Sequence, residues 1–128
     1  MNLTSIVIPP SVISICKGPF YHCTNLVSIT LPPHIQSLGK CFATECESLS
    51  HVELPSSLES IPPFAFHECS NLTSITIPSH VTSIGSDAFF ICPKLKTYSF
   101  LTPAIDCHNP IFETFPDETL EISFISNP

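Results

Sequence analysis

The sequence predicts a repeat solenoid, a stack of coils that shares one parallel β-sheet and carries turns or short helical segments on its other side. Three observations predict it. A block that begins Leu3-Thr4-Ser5-Ile6-Val7-Ile8-Pro9 recurs every 23 residues at Leu26–Pro32, Leu49–Pro55 and Leu72–Pro78, with a weaker fifth copy from Leu95 to Leu101. Each of the four full copies ends in proline: Pro9, Pro32, Pro55 and Pro78. Apolar residues elsewhere in the unit keep the same spacing. A fixed period of roughly 20 to 50 residues is the mark of stacked coils, because a single unit cannot bury its own apolar face.

In the first half of each unit the pattern Leu-x-x-Ile-x-Ile alternates, which predicts a short strand with Ile6 and Ile8, and their equivalents, turned inward. Proline cannot donate a ladder hydrogen bond, so it ends the strand. In the second half a pair spaced by three residues recurs: Val12 and Ile15, Ile35 and Leu38, Leu58 and Ile61, Val81 and Ile84. A ring and a cysteine then close the unit, as in Phe20 with Cys23, Phe66 with Cys69 and Phe89 with Cys92. The second copy inverts the order, with Phe42 and Ala43 where the fourth has Ala88 and Phe89. Stacking at about 4.8 Å fuses these columns into one core.

The fifth copy keeps Leu95, Tyr98, Phe100 and Phe112, but Leu101 replaces the proline and Phe115 the cysteine. Beyond Pro116-Asp117-Glu118, Ile122 and Phe124 are offset by 24 from Tyr98 and Phe100, which predicts one last strand. Residues 1–128 therefore read as one domain, with five repeats over 1–116 and a C-terminal capping strand and tail over 117–128. Terminal repeats depart from the consensus to cover the open core. The first repeat shows no cap, and its strand edge implies missing upstream repeats, end-to-end self-association or poor solubility.

Only 12% of residues are charged, about half the usual share, so the surface is built from Ser, Thr, Pro and Asn. Lys17, Lys40, Lys94 and Lys96 stand against 11 acidic residues, and a net charge of −7 without arginine argues against nucleic acid and anionic membranes as partners. No stretch is long enough to span a bilayer, and no signal peptide precedes the first repeat. Taken literally, this places the chain in the cytoplasm.

The run Asn71-Leu72-Thr73-Ser74-Ile75-Thr76-Ile77-Pro78-Ser79-His80-Val81-Thr82-Ser83-Ile84-Gly85-Ser86-Asp87-Ala88-Phe89-Phe90-Ile91-Cys92 resembles the BspA-like (Treponema-type) class of leucine-rich repeats. The resemblance covers four full copies and the degenerate fifth. It implies a right-handed, curved leucine-rich-repeat solenoid without catalytic activity. It also implies a place on the cell surface, where the best-known members adhere to host or neighbouring-cell proteins. Copies one and three depart from the pattern, with Cys16 and Pro62 where Gly39 and Gly85 stand, so the backbone is expected to differ there.

The outward strand positions are the candidate contact face: Ser5, Val7, Ser28, Thr30, His51, Glu53, Ser74, Thr76, Thr97 and Ser99. Continuous faces of this kind bind other macromolecules in repeat proteins. Most of the stripe is hydroxyl; His51 and Glu53 interrupt it and centre the expected patch, with Lys96 at its flank. The plainer alternative is that short polar side chains solvate a sheet. A hydroxyl ladder also resembles an ice-binding surface, but His51 and Glu53 break the array.

Of the seven cysteines, Cys23, Cys46, Cys69 and Cys92 are a repeat column and read as reduced core thiols. Cys16, Cys41 and Cys107 share no repeat position. The histidines His22, His34, His51, His67, His80 and His108 form no spaced pair of the kind zinc needs. His67-Glu68-Cys69 places a base near a thiol, but Cys69 belongs to the core column. No catalytic residue, metal site or cofactor is expected. Asn2-Leu3-Thr4 and Asn71-Leu72-Thr73 match the glycosylation acceptor pattern and arise from the consensus. The expected role is protein recognition in surface adhesion, with an intracellular scaffold as the alternative and the partner unidentified.

Overall fold

In the computed structural model, which describes residues 3–100 and 121–124, there are eight short parallel strands, and no helix occurs among the described residues. Strands β1 (Ser5–Val7), β2 (Ser28–Thr30) and β3 (His51–Glu53) pair in order, each displaced from the last by 23 residues. Strands β5 (Ser74–Ile77), β7 (Thr97–Phe100) and β8 (Glu121–Phe124) form a second set. Here β7 pairs with β8 at the expected offset of 24, Tyr98 opposite Ile122 and Phe100 opposite Phe124. Two-residue strands β4 (Ser60–Ile61) and β6 (Ser83–Ile84) pair in the second halves of copies three and four.

The parallel repeat fold is the expected one, but the main ladder is divided. Its flanking rungs run from the Val27 N–H to the Thr4 carbonyl at 2.7 Å, from Ser50 to Val27 at 3.0 Å and from Lys96 to Thr73 at 3.2 Å. The equivalent rung from Thr73 to Ser50 is not made, and β3 and β5 belong to different sheets. Leu101, Cys107, His108, Phe112, Phe115 and the acidic stretch Pro116-Asp117-Glu118, on which the expected cap rests, lie outside the described residues.

The proline that ends each strand also starts the next turn. The carbonyls of Pro9, Pro32, Pro55 and Pro78 each accept a hydrogen bond from the N–H three residues on, those of Val12, Ile35, Leu58 and Val81. The cysteines act alike: the carbonyls of Cys23, Cys46, Cys69 and Cys92 accept from Leu26, Leu49, Leu72 and Leu95, turning the chain into the next strand.

Between these turns lies a corner with two left-handed positions per coil. Gly18, Cys41, Phe64 and Asp87 form one column, and His22, Glu45, Glu68 and Ile91 the other, with φ between 57° and 64°. A left-handed residue costs about 1–2 kcal/mol when it carries a side chain, and seven of these eight do. The conformation turns each N–H toward the next coil. Gly18, Phe20 and His22 donate to the carbonyls of Lys40, Phe42 and Thr44 at 2.9, 3.2 and 2.9 Å. Cys41, Ala43 and Glu45 repeat the set on Pro63, Ala65 and His67, and Phe64, Phe66 and Glu68 on Ser86, Ala88 and Phe90.

The rings form one column through the core. Phe20 and Phe42 meet edge to face at 5.3 Å, Phe42 and Phe66 at 5.9 Å, Phe66 and Phe89 stack at 5.6 Å, and Phe89 meets Tyr98 at 5.8 Å. The inverted order in copy two leaves no gap, because Phe42 reaches into the column from the adjacent position beside the buried Ala43.

Gly39 and Gly85 are needed for close approach. A Cβ at Gly39 would overlap the carbonyl of Cys16, and one at Gly85 the backbone between Pro62 and Pro63. The copies that lack the glycine are therefore the ones against which the glycine of the next coil packs.

Two stability predictions follow from this packing. Phe66 is fully buried between Phe42 and Phe89, so Phe66→Ala is expected to cost about 3–5 kcal/mol in urea melts; a loss under about 1 kcal/mol is incompatible with the ring column. Gly39→Ala must move backbone and is expected to cost about 1–3 kcal/mol. Gly18→Ala meets only the Tyr21 Cβ at an ordinary contact distance of 3.7 Å and carries the strain of its left-handed backbone, about 1 kcal/mol. Equal losses at positions 18 and 39 would contradict the close approach.

Candidate protein-contact face

The ladder register sets the stripe in two rows. Ser5, Ser28 and His51 lie across from one another, as do Val7, Thr30 and Glu53. Beyond the break, Ser74 faces Thr97, and Thr76 faces Ser99. Ser5, Val7, Thr30, His51, Glu53, Ser74 and Thr76 are exposed; Ser28, Thr97 and Ser99 are half-buried and offer less of themselves to a partner. Val7 is 71% exposed, an apolar element at one end of an otherwise polar stripe.

Alternation explains the division: Ile29, Val52, Ile75 and Tyr98, between the outward residues, are buried in the core. At the break the face opens into a cavity of about 350 Å³ lined by Ser50, His51, Val52, Glu53, Leu54, Ser74, Ile75 and Thr76. The two residues that interrupt the hydroxyl pattern thus stand at the one discontinuity of the main ladder among the described residues. Sequence reasoning found the residues but not the opening. A shallower groove of about 490 Å³ runs along Gln36, Ser57, Glu59, His80 and Thr82. There the backbone ladder is intact, Glu59 donating to Gln36 at 3.2 Å and Thr82 to Glu59 at 3.1 Å. The Ser57 hydroxyl also bonds the Ile35 carbonyl.

Several other polar side chains pair with one another. His22 Nδ1 lies 2.6 Å from Glu45 Oε2 across one coil step, and the Tyr21 hydroxyl donates to Glu45 Oε1 at 3.4 Å. The Glu45 charge raises the Tyr21 phenol above its ordinary range. This corner cluster was missed from the sequence, although its 23-residue spacing was there to be read. His67 lies against Phe64 and Phe90, with Nδ1 3.7 Å from Glu68. Asn71 accepts from Lys94 Nζ at 2.8 Å. Among the described residues no three His, Cys, Asp or Glu side chains gather as a metal site.

The cysteine column is a set of hydrogen-bond donors. Cys46 Sγ donates to the Phe20 carbonyl at 3.1 Å, Cys69 to Ala43 at 3.3 Å and Cys92 to Phe66 at 3.1 Å. Burial pushes the Cys46 thiol up to about 12 and the Cys92 thiol to about 11, and raises Cys69 as well.

The fold and its polar face define a leucine-rich-repeat solenoid, a class whose members generally bind protein partners. The profile of the BspA type leucine rich repeat region matches residues 1–116 in six copies. The chain belongs to this family. No functionally curated protein matches it in sequence. Among solved structures it is similar to a leucine rich cell surface protein from Faecalibacterium prausnitzii A2-165, with 27% identity, a TM-score of 0.77 and coverage of 96% of this chain and 32% of that one. The leucine rich repeat protein of T. pallidum is similar at 24% identity and a TM-score of 0.62, over 77% of this chain and 59% of its own. The pneumococcal vaccine antigen PcpA shares the fold at 19% identity and a TM-score of 0.82, over 98% of this chain and 37% of its own. The chain thus spans between about a third and three fifths of the length of these proteins.

The thiols generate a pH prediction. Groups whose folded values are raised above the ordinary 9.0 hold their protons more tightly in the folded state. Their contribution is complete below about pH 9 and is lost as pH rises through about 11 and 12. The urea midpoint is expected to fall in this window, and less steeply in a Cys46→Ala/Cys92→Ala variant. Iodoacetamide is expected to label exposed Cys16 well before Cys46 or Cys69 in the folded protein.

Proposed function

We propose that this chain is a non-catalytic recognition module, displayed on a cell surface, that binds a protein partner along the face built by β1, β2, β3, β5 and β7. The observation that carries the reading is the in-register polar stripe with a cavity where His51 and Glu53 stand. The family and the surface proteins of like fold support a place outside the cell and a role in adhesion.

An intracellular scaffold is the second reading. It is favoured by six described cysteines that are all unpaired, four of them in one stacked column. Buried thiols resist oxidation in either compartment, so this observation weighs less than the kinship with surface proteins.

Two experiments test the proposal. Antibody labelling and protease shaving of intact source cells is expected to reach the protein before permeabilisation; labelling only afterwards selects the scaffold. Replacing His51 and Glu53 together by serine and threonine restores the hydroxyl pattern of the neighbouring coils. The variant is expected to keep the urea midpoint but to weaken partner capture at least tenfold. Unchanged capture would reject this patch.

A further inference from the structure

The side chains that line the break between β3 and β5 carry one formal charge, that of Glu53; the others are hydroxyls, the His51 ring and the apolar Val52, Leu54 and Ile75. The hydrogen bond from Thr73 that would match Ser50 to Val27 is missing, which leaves the Ser50 carbonyl and the Thr73 N–H both without this rung. The Glu53 carboxylate is exposed and has no hydrogen-bond or ion-pair partner among the described residues, unlike Glu45 with His22 or Glu68 with His67. The hydroxyls of Ser74 and Thr76 line the opposite wall, and no lysine lines the cavity. His51 stands two residues from Glu53 on the same outward side of β3, in the neighbouring row, and is exposed.

A cavity whose one charged side chain is a carboxylate calls for a cationic donor. The guanidinium group is such a ligand: five N–H donors in a plane, no acceptor, and a permanent positive charge. It binds a carboxylate through two parallel hydrogen bonds and stacks on flat rings, which Glu53 and His51 provide side by side. A lysine ammonium offers neither the fork nor the plane. The cavity volume of about 350 Å³ accommodates a single side chain of this length. The net charge of −7 draws a cationic partner toward the face.

We infer that the break between β3 and β5 is a socket for an arginine side chain of the protein partner, with Glu53 and the Ser50 carbonyl as its acceptors and His51 as its stacking surface. This rests on the reading of the sheet face as a protein-contact surface and names the chemistry it selects. The groove at Glu59 and His80 does not share it, because the backbone acceptors there are already used in the ladder.

The test is an NMR titration of the ¹⁵N-labelled full chain with the capped peptide Gly-Gly-Arg-Gly-Gly and its citrulline analogue, which keeps the shape and loses the charge. The arginine peptide is expected to shift the amides of residues 50–54 and 73–76 in a saturable way. The citrulline peptide is expected to bind at least tenfold more weakly. Glu53→Gln is expected to abolish the difference between the two peptides, while Glu47→Gln, an exposed carboxylate elsewhere, leaves it intact. Equal binding of both peptides at these amides would overturn the arginine socket and leave the contact face standing. Shifts confined to other residues, or no shifts at all, would also overturn it, and the face itself is then judged by the capture experiment on the His51 and Glu53 variant.

Discussion

The backbone of each coil must lie within hydrogen-bonding distance of the next at every turn, and the rest of the molecule follows from that requirement. The strands meet it by ordinary parallel pairing. The corner meets it with three donors per coil onto three carbonyls of the next, the outer two of each three being the left-handed residues. Side chains at these positions are strained by about 1–2 kcal/mol each, and net stabilisation of about 1 kcal/mol per hydrogen bond offsets much of this. Because the corner is specified by backbone contacts, its residue types are free to vary: Gly, Cys, Phe and Asp share one column, and His, two Glu and Ile share the other.

Packing adapts within that frame. The ring column survives an exchange of phenylalanine and alanine at positions 42 and 43, since either position reaches the same interior space. The glycines at 39 and 85 alternate with larger residues because close approach needs only one of two facing coils to lack a side chain. In the same way Cys46, Cys69 and Cys92 each give a thiol hydrogen to a carbonyl one coil away. Phe66 shows how economical this is. Its carbonyl accepts both the Cys69 N–H and the Cys92 thiol, using both lone pairs.

The strands, the prolines that end them and the 24-residue step into β8 were legible in the sequence, because alternation and proline report directly on pairing. The two left-handed columns were not. Positive φ is normally announced by glycine, and only Gly18 among the eight residues is one. Alternation gives the side of the sheet on which these residues lie, but it does not report the half-burial of Ser28, Thr97 and Ser99. Nor does it reveal the divided ladder: copies three and four keep the full strand pattern on both sides of it. Whether two coils touch or part is a property of their separation, and periodicity is the same in either case.

A regular solenoid consumes its own hydrogen-bonding capacity. Each rung pairs one coil's donor with its neighbour's acceptor, so a face of unbroken ladders offers a partner only side chains. The missing rung between Thr73 and Ser50 changes this locally, since it leaves a backbone carbonyl and a backbone N–H open beside the carboxylate of Glu53, which has no partner among the described residues. The energetic asymmetry of hydrogen bonds makes such a place selective: a ligand that supplies the absent donors gains, and one that covers these acceptors without donors leaves them desolvated at a cost of about 1–3 kcal/mol each. In a protein made of nearly identical units, specificity therefore arises where the units fail to repeat. His51 and Glu53 mark that failure in the sequence, and the divided ladder marks it in the backbone.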